Sequence, residues 1–260
     1  MKIVRFSAQR KVRYGLLDGD AIIGIKGSPF TQFKDPGNPL LRDGTTYRLD
    51  GVRLLAPCLP SKIVCLGLNY RSHAEETKLD IPKVPLIILK PSTAVIGPGS
   101  EIILPPNSMR VDYEGELGVV IGRKAKDVPQ DKWQEYVLGY TCVNDVSERF
   151  NQAEDGQWTR AKSYDTFAPI GPCIETGINP DNLKLETRLN GELRQSARTG
   201  DLIFGVPSLI SFISGVMTLL PGDIIATGTP AGIGPMNPGD VVEVTIEEIG
   251  TLRNPVAGSK

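Results

Sequence analysis

The chain has 260 residues, a length that fits one large domain or one domain with a small appendage. Its 29 Lys and Arg residues against 30 Asp and Glu residues give a net charge of −1, so no global field attracts nucleic acid or an anionic membrane. The single histidine, His73, excludes HExxH and three-histidine zinc sites and two-histidine iron sites, whereas sites built from hard oxygen ligands remain open.

The first sixty residues indicate a small N-terminal β domain. Short runs rich in β-branched residues alternate there with turn residues: IVRF, VRYGLL and AIIGI. The polar, turn-rich stretch QFKDPGNPLLRDG follows, and then the proline-containing VRLLAPCLP. We therefore expect one domain at residues 1–60 and a second at residues 61–260.

The remainder of the chain has the character of a larger β-rich domain. Its longer apolar runs predict buried strands: KIVCLGL, LIILK, EIILP, ELGVVIG and VLGYTCV. Strict alternation on both sides of Asn190-Gly191 predicts a hairpin with a type I′ turn. Apolar residues at helical spacing predict a helix over residues 206–220 that stops at Pro221-Gly222. Together these elements indicate a β-rich α+β fold.

Cysteine usage and hydropathy bear on the compartment. The four cysteines, at positions 58, 65, 142 and 173, form no CxxC pair, and MKIVRF lacks the basic-then-apolar run of a secretory signal. No apolar stretch approaches the roughly 20 residues that cross a bilayer. We expect free thiols, a cytoplasmic location and no membrane partner.

The segment DYEGELGVV is the first candidate for chemistry. On a strand, Glu114 and Glu116 point to the same face with Cα atoms about 6.5–7 Å apart. Exposure of both side chains at a strand edge is one interpretation. The apolar residues that follow favour a central strand, where two uncompensated carboxylates are costly to bury. A divalent metal between the two carboxylates is therefore the second interpretation.

Asp145 is the candidate for a third oxygen ligand, because Mg²⁺ prefers octahedral oxygen coordination. It ends the apolar run YTCVNDV, where a charge is otherwise out of place. The alternative is that Asp145 caps the helix predicted at SERFNQAE. Three carboxylates around one dication leave an excess negative charge, so Arg149 and Lys162 are candidate compensating cations.

The segment GLNYRSHAEE contains the only histidine. Ser72 and Glu75 have the spacing of a capping box, which puts His73 at the start of a helix. His73 and Glu76 then lie at positions i and i+3 of one helix face, the pairing that a general base needs. A surface histidine beside a glutamate is the simpler alternative. The proline-bracketed DIPKVP that follows suggests a lid.

Two further positions are less specific on their own. Lys162 in TRAKSYDT is as consistent with a solvated lysine as with a site residue. The turn TGTP offers backbone N–H groups and the Thr229 hydroxyl to a carboxylate. No P-loop or GxGxxG motif opens a helix after a strand, which argues against nucleotide binding.

Taken together, these motifs resemble the fumarylacetoacetate hydrolase family. The similarity runs from about Ile63 onward through seven segments in the family's order: GLNYRSHAEE, LKPSTAVIGPG, DYEGELGVVIG, VNDVSERFNQ, WTRAKSYDTFAPIGP, the NGEL hairpin and PGDIIATGTPAGIGPMNPGD. The resemblance implies a mixed β-roll catalytic domain preceded by a small N-terminal β domain. It also implies a homodimer.

The resemblance implies roles for particular residues of this chain. It implies a site for Mg²⁺, with Mn²⁺ or Ca²⁺ as substitutes, at Glu114, Glu116 and Asp145. It implies a catalytic dyad of His73 and Glu76 on a lid segment and a catalytic Lys162. Arg149, Gln152 and Thr229 are the expected substrate-binding residues. Phe150 departs from the family, in which many members have Asp after the arginine, so the resemblance does not define the contacts of Arg149.

The leading expectation is a Mg²⁺-dependent hydrolase of the acylpyruvate or fumarylacetoacetate type. A chelated 2-oxo acid gives an enolate, and a water activated by His73 then cleaves a carbon–carbon bond. The same enolate serves a decarboxylase or an isomerase of 2-oxo or hydroxydienoic diacids, such as oxaloacetate decarboxylase or 2-hydroxyhepta-2,4-diene-1,7-dioate isomerase. A non-catalytic metal- or carboxylate-binding protein is the remote alternative. The expected partner is a small 2-oxo or diketo acid.

Overall fold

The computed structural model describes residues 1–34 and 39–259, and strands dominate them. The strands are β1 (Lys2–Ala8), β2 (Lys11–Asp18), β3 (Ala21–Ile25), β4 (Arg42–Arg48), β5 (Arg53–Leu55), β6 (Lys62–Gly67), β7 (Leu86–Pro91), β8 (Val95–Ile96), β9 (Ile102–Leu104), β10 (Val111–Tyr113), β11 (Gly115–Ile121), β12 (Val137–Asn144), β13 (Ser147–Glu148), β14 (Ala168–Glu175), β15 (Lys184–Leu189), β16 (Glu192–Arg198), β17 (Ile224–Ala226), β18 (Gly234–Pro235), β19 (Val241–Ile246) and β20 (Gly250–Gly258). The α-helices are α1 (Pro29–Gln32), α2 (Arg71–Thr77), α3 (Arg149–Asp155), α4 (Thr159–Lys162) and α5 (Val206–Val216). The expected β-rich α+β class is confirmed.

The largest sheet of the described residues has twelve strands. Its order is β4-β3-β2-β1-β14-β12-β11-β17-β6-β7, with β5 beside β1 and β8 beside β14. The predicted N-terminal strands therefore continue the sheet of the larger unit, because β1 pairs antiparallel with β14 from Lys2 opposite Glu175. Residues 35–38 of the predicted turn-rich stretch lie outside the described residues. A domain boundary near Pro60 stays a prediction.

Two smaller sheets complete the architecture. One has the order β16-β15-β19-β20-β9, and the other the order β13-β10-β18. The main core lies where the buried face of α5, with Leu209 and Ile213, packs with apolar residues of β11 and β19. Strands β11 and β12 are buried along their whole length, as the apolar runs predicted for central strands.

The predicted hairpin is confirmed, whereas the predicted helix is shorter than expected. Asn190 and Gly191 both have positive φ, 52° and 81°, as a type I′ turn requires, and Leu189 pairs with Glu192 across it. Helix α5 ends at Val216, four residues before the predicted end. The reason is that Leu219 exchanges backbone hydrogen bonds of 2.9 Å with Ala125, which holds the chain extended.

The structure also bears on the expectations about thiols and membranes. The four cysteines are free and buried. Burial raises the pKa of the Cys58 thiol to about 12, which keeps this thiol protonated and unreactive. In the described ranges, no helix combines the length and apolarity that a membrane crossing requires.

Candidate active site

Three buried carboxylates meet where β11 begins and β12 ends. Glu114, Glu116 and Asp145 each offer an oxygen, and these oxygens all lie within 4.8 Å of one another. The side chains reach this point because the Asp145 amide donates to the Glu114 carbonyl at 2.8 Å and the Asn144 side chain accepts from the Glu114 amide at 2.9 Å. The three residues are between 1% and 4% exposed, so water screens their mutual repulsion poorly.

The chemistry of this donor set fits a hard divalent cation. Glu116 accepts a hydrogen bond of 2.7 Å from the Gly228 amide, and it has no salt-bridge partner among the described residues. Burial, together with the charges of Asp145 and Glu114, raises the pKa of Glu116 well above its usual value. A carboxylate without a cation partner beside two others is the arrangement that a metal ion stabilises. The three residues could therefore hold the expected metal.

The alternative role of Asp145 as a helix cap is wrong. Glu148 is the residue that precedes α3, and its Oε2 accepts a hydrogen bond of 2.6 Å from the Asn151 amide. Asp145 lies three residues earlier and contacts lysine side chains instead. Glu148 is the second residue of the short strand β13, which pairs with β10.

Lys162 at the end of α4 is buried among the carboxylates. Its Nζ donates to Glu114 at 2.9 Å, to Asp145 at 2.6 Å and to the Ser147 hydroxyl at 2.8 Å. These three contacts use all three N–H groups of the ammonium. Burial by itself lowers the pKa of Lys162, but Asp145 and Glu114 outweigh burial and raise it. Lys162 is therefore a charged member of the site and not a solvated lysine.

Arg149 at the start of α3 links Glu114 to a second buried carboxylate. Its Nη2 donates to Glu114 at 2.6 Å and its Nε to Asp112 at 2.9 Å. Its Nη1 donates to the Gln152 side chain at 2.7 Å. Burial by itself raises the pKa of Glu114, but the charges of Lys162 and Arg149 hold that pKa well below its usual value. Phe150, where the family often has Asp, is exposed and leaves these contacts intact.

Lys90 on β7 is a cation of the site that the sequence analysis missed. Its side chain is fully buried, and its Nζ donates to the Asp145 carboxylate and, at 2.9 Å, to the Val146 carbonyl. The available signal was a lysine inside the apolar run LIILK, where alternation places it on a buried face. Asp112 was missed in the same way, as the charged middle residue of the buried strand β10.

The dyad residues lie on α2 and face the same cavity. Nδ1 of His73 lies 3.1 Å from Oε2 of Glu76, and Oε1 of Glu76 accepts a hydrogen bond of 2.9 Å from the Gly232 amide. The predicted capping box is wrong, because the helix starts at Arg71 and the preceding Tyr70 makes no side-chain cap. Tyr70 is held extended by a bridge to Leu202, and Ser72 instead accepts a hydrogen bond of 3.3 Å from the Ala231 amide.

Asn69 fixes the entry to α2, and sequence reasoning missed it as well. Its side-chain Nδ2 donates to the Phe204 and Thr227 carbonyls at 3.0 and 2.7 Å, and its Oδ1 accepts from the Phe204 amide at 2.8 Å. The residue is 1% exposed, so these bonds satisfy a buried amide and tie three separate segments together. The dyad is thereby placed relative to the TGTP turn.

The TGTP turn is held by a residue of the hairpin. The Thr229 hydroxyl donates to the Gly115 carbonyl at 3.0 Å and accepts from Gln195 at 2.8 Å. Gln195 also donates to the Pro230 carbonyl and accepts from the Gly115 amide at 3.0 Å. Thr229 lines the cavity with a hydroxyl that is engaged by the protein, and Gln195 was a further functional candidate that the sequence did not reveal.

All nine predicted site residues lie in or beside one cavity of about 630 Å³. Its wall includes His73, Glu76, Glu114, Arg149, Gln152, Lys162 and Thr229. Glu116 and Asp145 lie behind the wall, within the carboxylate cluster. Apolar side chains complete it: Leu66, Leu68, Leu79, Trp158 and Ile233. The cavity thus combines a charged floor with apolar sides, a typical arrangement for a small organic acid.

Two family models match the chain. The model described as fumarylacetoacetate (FAA) hydrolase C-terminal matches residues 62–257, and the model described as Rv2993c-like, N-terminal matches residues 1–57. The chain belongs to the fumarylacetoacetate hydrolase family. Members of this family are metal-dependent hydrolases, isomerases or tautomerases, so this member is an enzyme, and the alternative of a non-catalytic binding protein is wrong.

Relatives and solved structures of the family carry different activities in their names. In an alignment of 285 positions including gaps, the chain is 44% identical to the 2,4-didehydro-3-deoxy-L-rhamnonate hydrolase of Sphingomonas sp. strain SKA58. The alignment covers 99% of this chain and 96% of the relative. A structure of 5-carboxymethyl-2-hydroxymuconate delta-isomerase from Mycobacterium smegmatis matches with a TM-score of 0.92 and 44% identity over both complete chains. Maleylpyruvate hydrolase from Sphingobium sp. SYK-6, in complex with manganese (II) ion and pyruvate, matches with a TM-score of 0.83 and 31% identity, also over both complete chains.

Proposed function

We propose that this family member is a Mg²⁺-dependent hydrolase that cleaves a carbon–carbon bond in a 1,3-diketo acid of the acylpyruvate or fumarylacetoacetate type. The observation that carries the proposal is the His73–Glu76 pair in the same cavity as the cluster of three carboxylates. A general base and an oxygen-ligated cation at one cavity are the two components that this cleavage needs.

Glu114, Glu116 and Asp145 would hold the cation through carboxylate oxygens. When bound there, a divalent cation supplies Lewis-acid stabilisation for the negative charge that develops on a 2-oxo acid. Hard carboxylate donors favour Mg²⁺, and Mn²⁺ or Ca²⁺ accept the same ligands. The manganese and pyruvate bound to the related maleylpyruvate hydrolase support this choice of ligand class.

His73 acts as the general base in the proposed reaction. The hydrogen bond from Nδ1 to Glu76 sets the tautomer that leaves Nε2 free to accept a proton from water. The water oxygen adds to the carbonyl carbon remote from the carboxylate, and the bond from that carbon to the methylene carbon then breaks. The electron pair of this bond passes into the enolate of a 2-oxo acid, and the proton held by His73 returns to the departing carbon.

The cations around the floor favour the charge that this step creates. Lys162 places a fixed positive charge at the floor and, because its N–H groups are all engaged, acts by its charge and by orienting Glu114 and Asp145. Arg149 and Gln152 form one hydrogen-bonded unit on the cavity wall and, with Thr229, are the proposed substrate-binding residues.

An isomerase or tautomerase is the second candidate. The full-length similarity to a structure of 5-carboxymethyl-2-hydroxymuconate delta-isomerase favours it. In that reaction His73 would move a proton between two carbons and activate no water. A decarboxylase of a 2-oxo diacid would use the same floor without the dyad.

The proposal includes a homodimer in a cytoplasmic setting, with a small 2-oxo or diketo acid as substrate and no nucleic-acid partner. The near-zero net charge supports the last point. Light scattering of the purified protein tests the dimer, and a mass near twice 28.2 kDa is the expected result.

One assay distinguishes the candidate reactions. Purified protein with Mg²⁺ is incubated separately with acetylpyruvate, fumarylpyruvate, oxaloacetate and a hydroxymuconate-type diacid. Ultraviolet absorbance follows the loss of each enol, and lactate dehydrogenase detects pyruvate. Hydrolysis predicts pyruvate from a diketo acid in a reaction that H73A slows strongly. Loss of the enol of the muconate-type diacid without pyruvate from either diketo acid would favour the isomerase.

A further inference from the structure

The cations that line the cavity differ in how many hydrogen-bond donors they have left for a ligand. Lys162 has none, because Glu114, Asp145 and Ser147 take all three of its N–H groups. Arg149 uses three of its five donors on Asp112, Gln152 and Glu114. Lys162 therefore has no donor left for a ligand carboxylate, and Arg149 has two.

Arg110 is the cavity cation with the most free donors in the described part of the chain. Its Nε and Nη2 donate to the two oxygens of Asp112 at 2.8 and 3.0 Å, which leaves three of its five donors without a protein partner. Asp112 is fully buried, so the paired contact fixes the plane of the guanidinium. The Arg110 side chain is 52% exposed and lines the cavity.

Arg110 and the carboxylate cluster lie at different depths of this cavity. The side chains of Glu114 and Lys162 are 6% and 4% exposed and form the floor, whereas the half-exposed Arg110 lies at the mouth. The two levels are linked by strand β10, whose rise of roughly 3.3 Å per residue puts the Cα atoms of Arg110 and Glu114 at most about 13 Å apart. A ligand that reaches both levels needs an acidic group at each end.

We propose that Arg110 binds a second carboxylate at the far end of the substrate, which makes the substrate class of this site the longer 2-oxo dicarboxylates. Asp112 fixes one edge of the guanidinium, and the three remaining N–H donors of this cavity-lining residue can form paired hydrogen bonds with a carboxylate. The inference rests on the proposed function only for the 2-oxo acid end of the ligand. Among diketo acids it selects the fumarylpyruvate type over acetylpyruvate, whose far end is a methyl group.

Two ligands of equal length that carry no cleavable 1,3-diketone test this inference by binding alone. We would measure dissociation constants for 2-oxoadipate and 2-oxohexanoate by isothermal titration calorimetry in the presence of Mg²⁺. A charge-assisted contact of this kind corresponds to about a 10- to 100-fold preference for 2-oxoadipate in the wild-type protein. R110Q should reduce that ratio to near one, and R110K should give an intermediate ratio because lysine keeps the charge without the fork.

R253Q is the matched control, because Arg253 is also an exposed, ion-paired arginine, with Glu243 at 3.4 Å, and does not line the cavity. It should keep the wild-type ratio. A wild-type protein that binds both ligands equally, or that fails to bind 2-oxoadipate, overturns the inference. So does a ratio in R110Q equal to that of wild type, since a merely structural arginine would weaken both ligands alike. Because no turnover is involved, a failed hydrolysis assay leaves this result standing on its own.

Discussion

The buried cations of the site offset the negative charge of the carboxylate cluster, as a bound metal ion would. Replacement of Lys90 tests this idea. Its Nζ contacts the Asp145 carboxylate and the Val146 carbonyl, and its side chain is fully buried. Replacement by methionine keeps a flexible side chain of similar length and removes the charge. Asp145 then keeps Lys162 as its cation partner, at 2.6 Å.

The expected loss of stability follows from these contacts. Removing one partner of a buried ion pair costs about 3–5 kcal/mol, because the remaining charge is left uncompensated. The persistence of Lys162 beside Asp145 places K90M near the lower end, at about 3 kcal/mol. For a chain of this size, that corresponds to a decrease in melting temperature of roughly 6–12 °C. A dication at the three carboxylates replaces the lost charge, so saturating Mg²⁺ should recover part of the decrease.

Thermal melts of wild type and K90M in EDTA and in Mg²⁺ measure both effects. K62M is the matched control, since Lys62 contacts the buried Asp223 at 2.5 Å in a second ion pair outside the cavity. Its loss of stability should be the same in EDTA and in Mg²⁺. Two results would refute the reasoning. One is a K90M melting temperature within 2 °C of wild type in EDTA, a difference that corresponds to about 1 kcal/mol or less. The other is a decrease in melting temperature that Mg²⁺ does not reduce.

Three further changes test other parts of the site. H73A should reduce turnover by about 10²- to 10⁴-fold, while Mg²⁺ still raises its melting temperature. E114A should instead lose the Mg²⁺-induced rise in melting temperature. An equal rate in H73A and wild type would remove His73 from the mechanism. G228A should lower the free energy of unfolding, measured by urea titration, by about 1–3 kcal/mol, because Gly228 has a φ of 102° and an added Cβ would lie 2.7 Å from Cβ of Asn69. An unchanged urea midpoint would contradict the close packing of this turn. Q195L should lower kcat and cost about 1–3 kcal/mol of stability, because the Gly115 amide, the Thr229 hydroxyl and the Pro230 carbonyl lose a buried partner. Q195E at low pH, where the new carboxyl is protonated, should restore part of the stability.

Local patterns were sufficient for much of the fold. Alternation and an Asn-Gly turn predicted the β15–β16 hairpin because both signals lie within a few residues of each other. The apolar runs of β11 and β12 indicated central strands because burial on both faces removes polar residues from either face. The end of α5 was wrong because a backbone contact with Ala125, about ninety residues away in the chain, decides it.

The contrast between local patterns and long-range contacts also separates the site residues that were predicted from those that were missed. The spacing of Glu114 and Glu116, or of His73 and Glu76, can be read within one element. The supporting groups are long-range: Lys90 reaches Asp145 across 55 residues, Gln195 reaches Thr229 across 34, and Asn69 reaches Thr227 across 158. Their side chains satisfy particular buried atoms, and a sequence does not show which atoms will be buried together.

The charges of the site form a chain that runs from the cavity mouth to its floor. Positive and negative groups alternate along it in the order Arg110, Asp112, Arg149, Glu114, Lys162, Asp145 and Lys90. With Glu116 there are four carboxylates and four cations in this group, so its formal charge is zero when every carboxylate is ionised. A dication that enters this site adds two positive charges, and the carboxylate of an anionic 2-oxo acid offsets part of them. Metal and substrate should therefore strengthen each other's binding. The metal would then be bound most tightly when the 2-oxo acid substrate is already in the cavity.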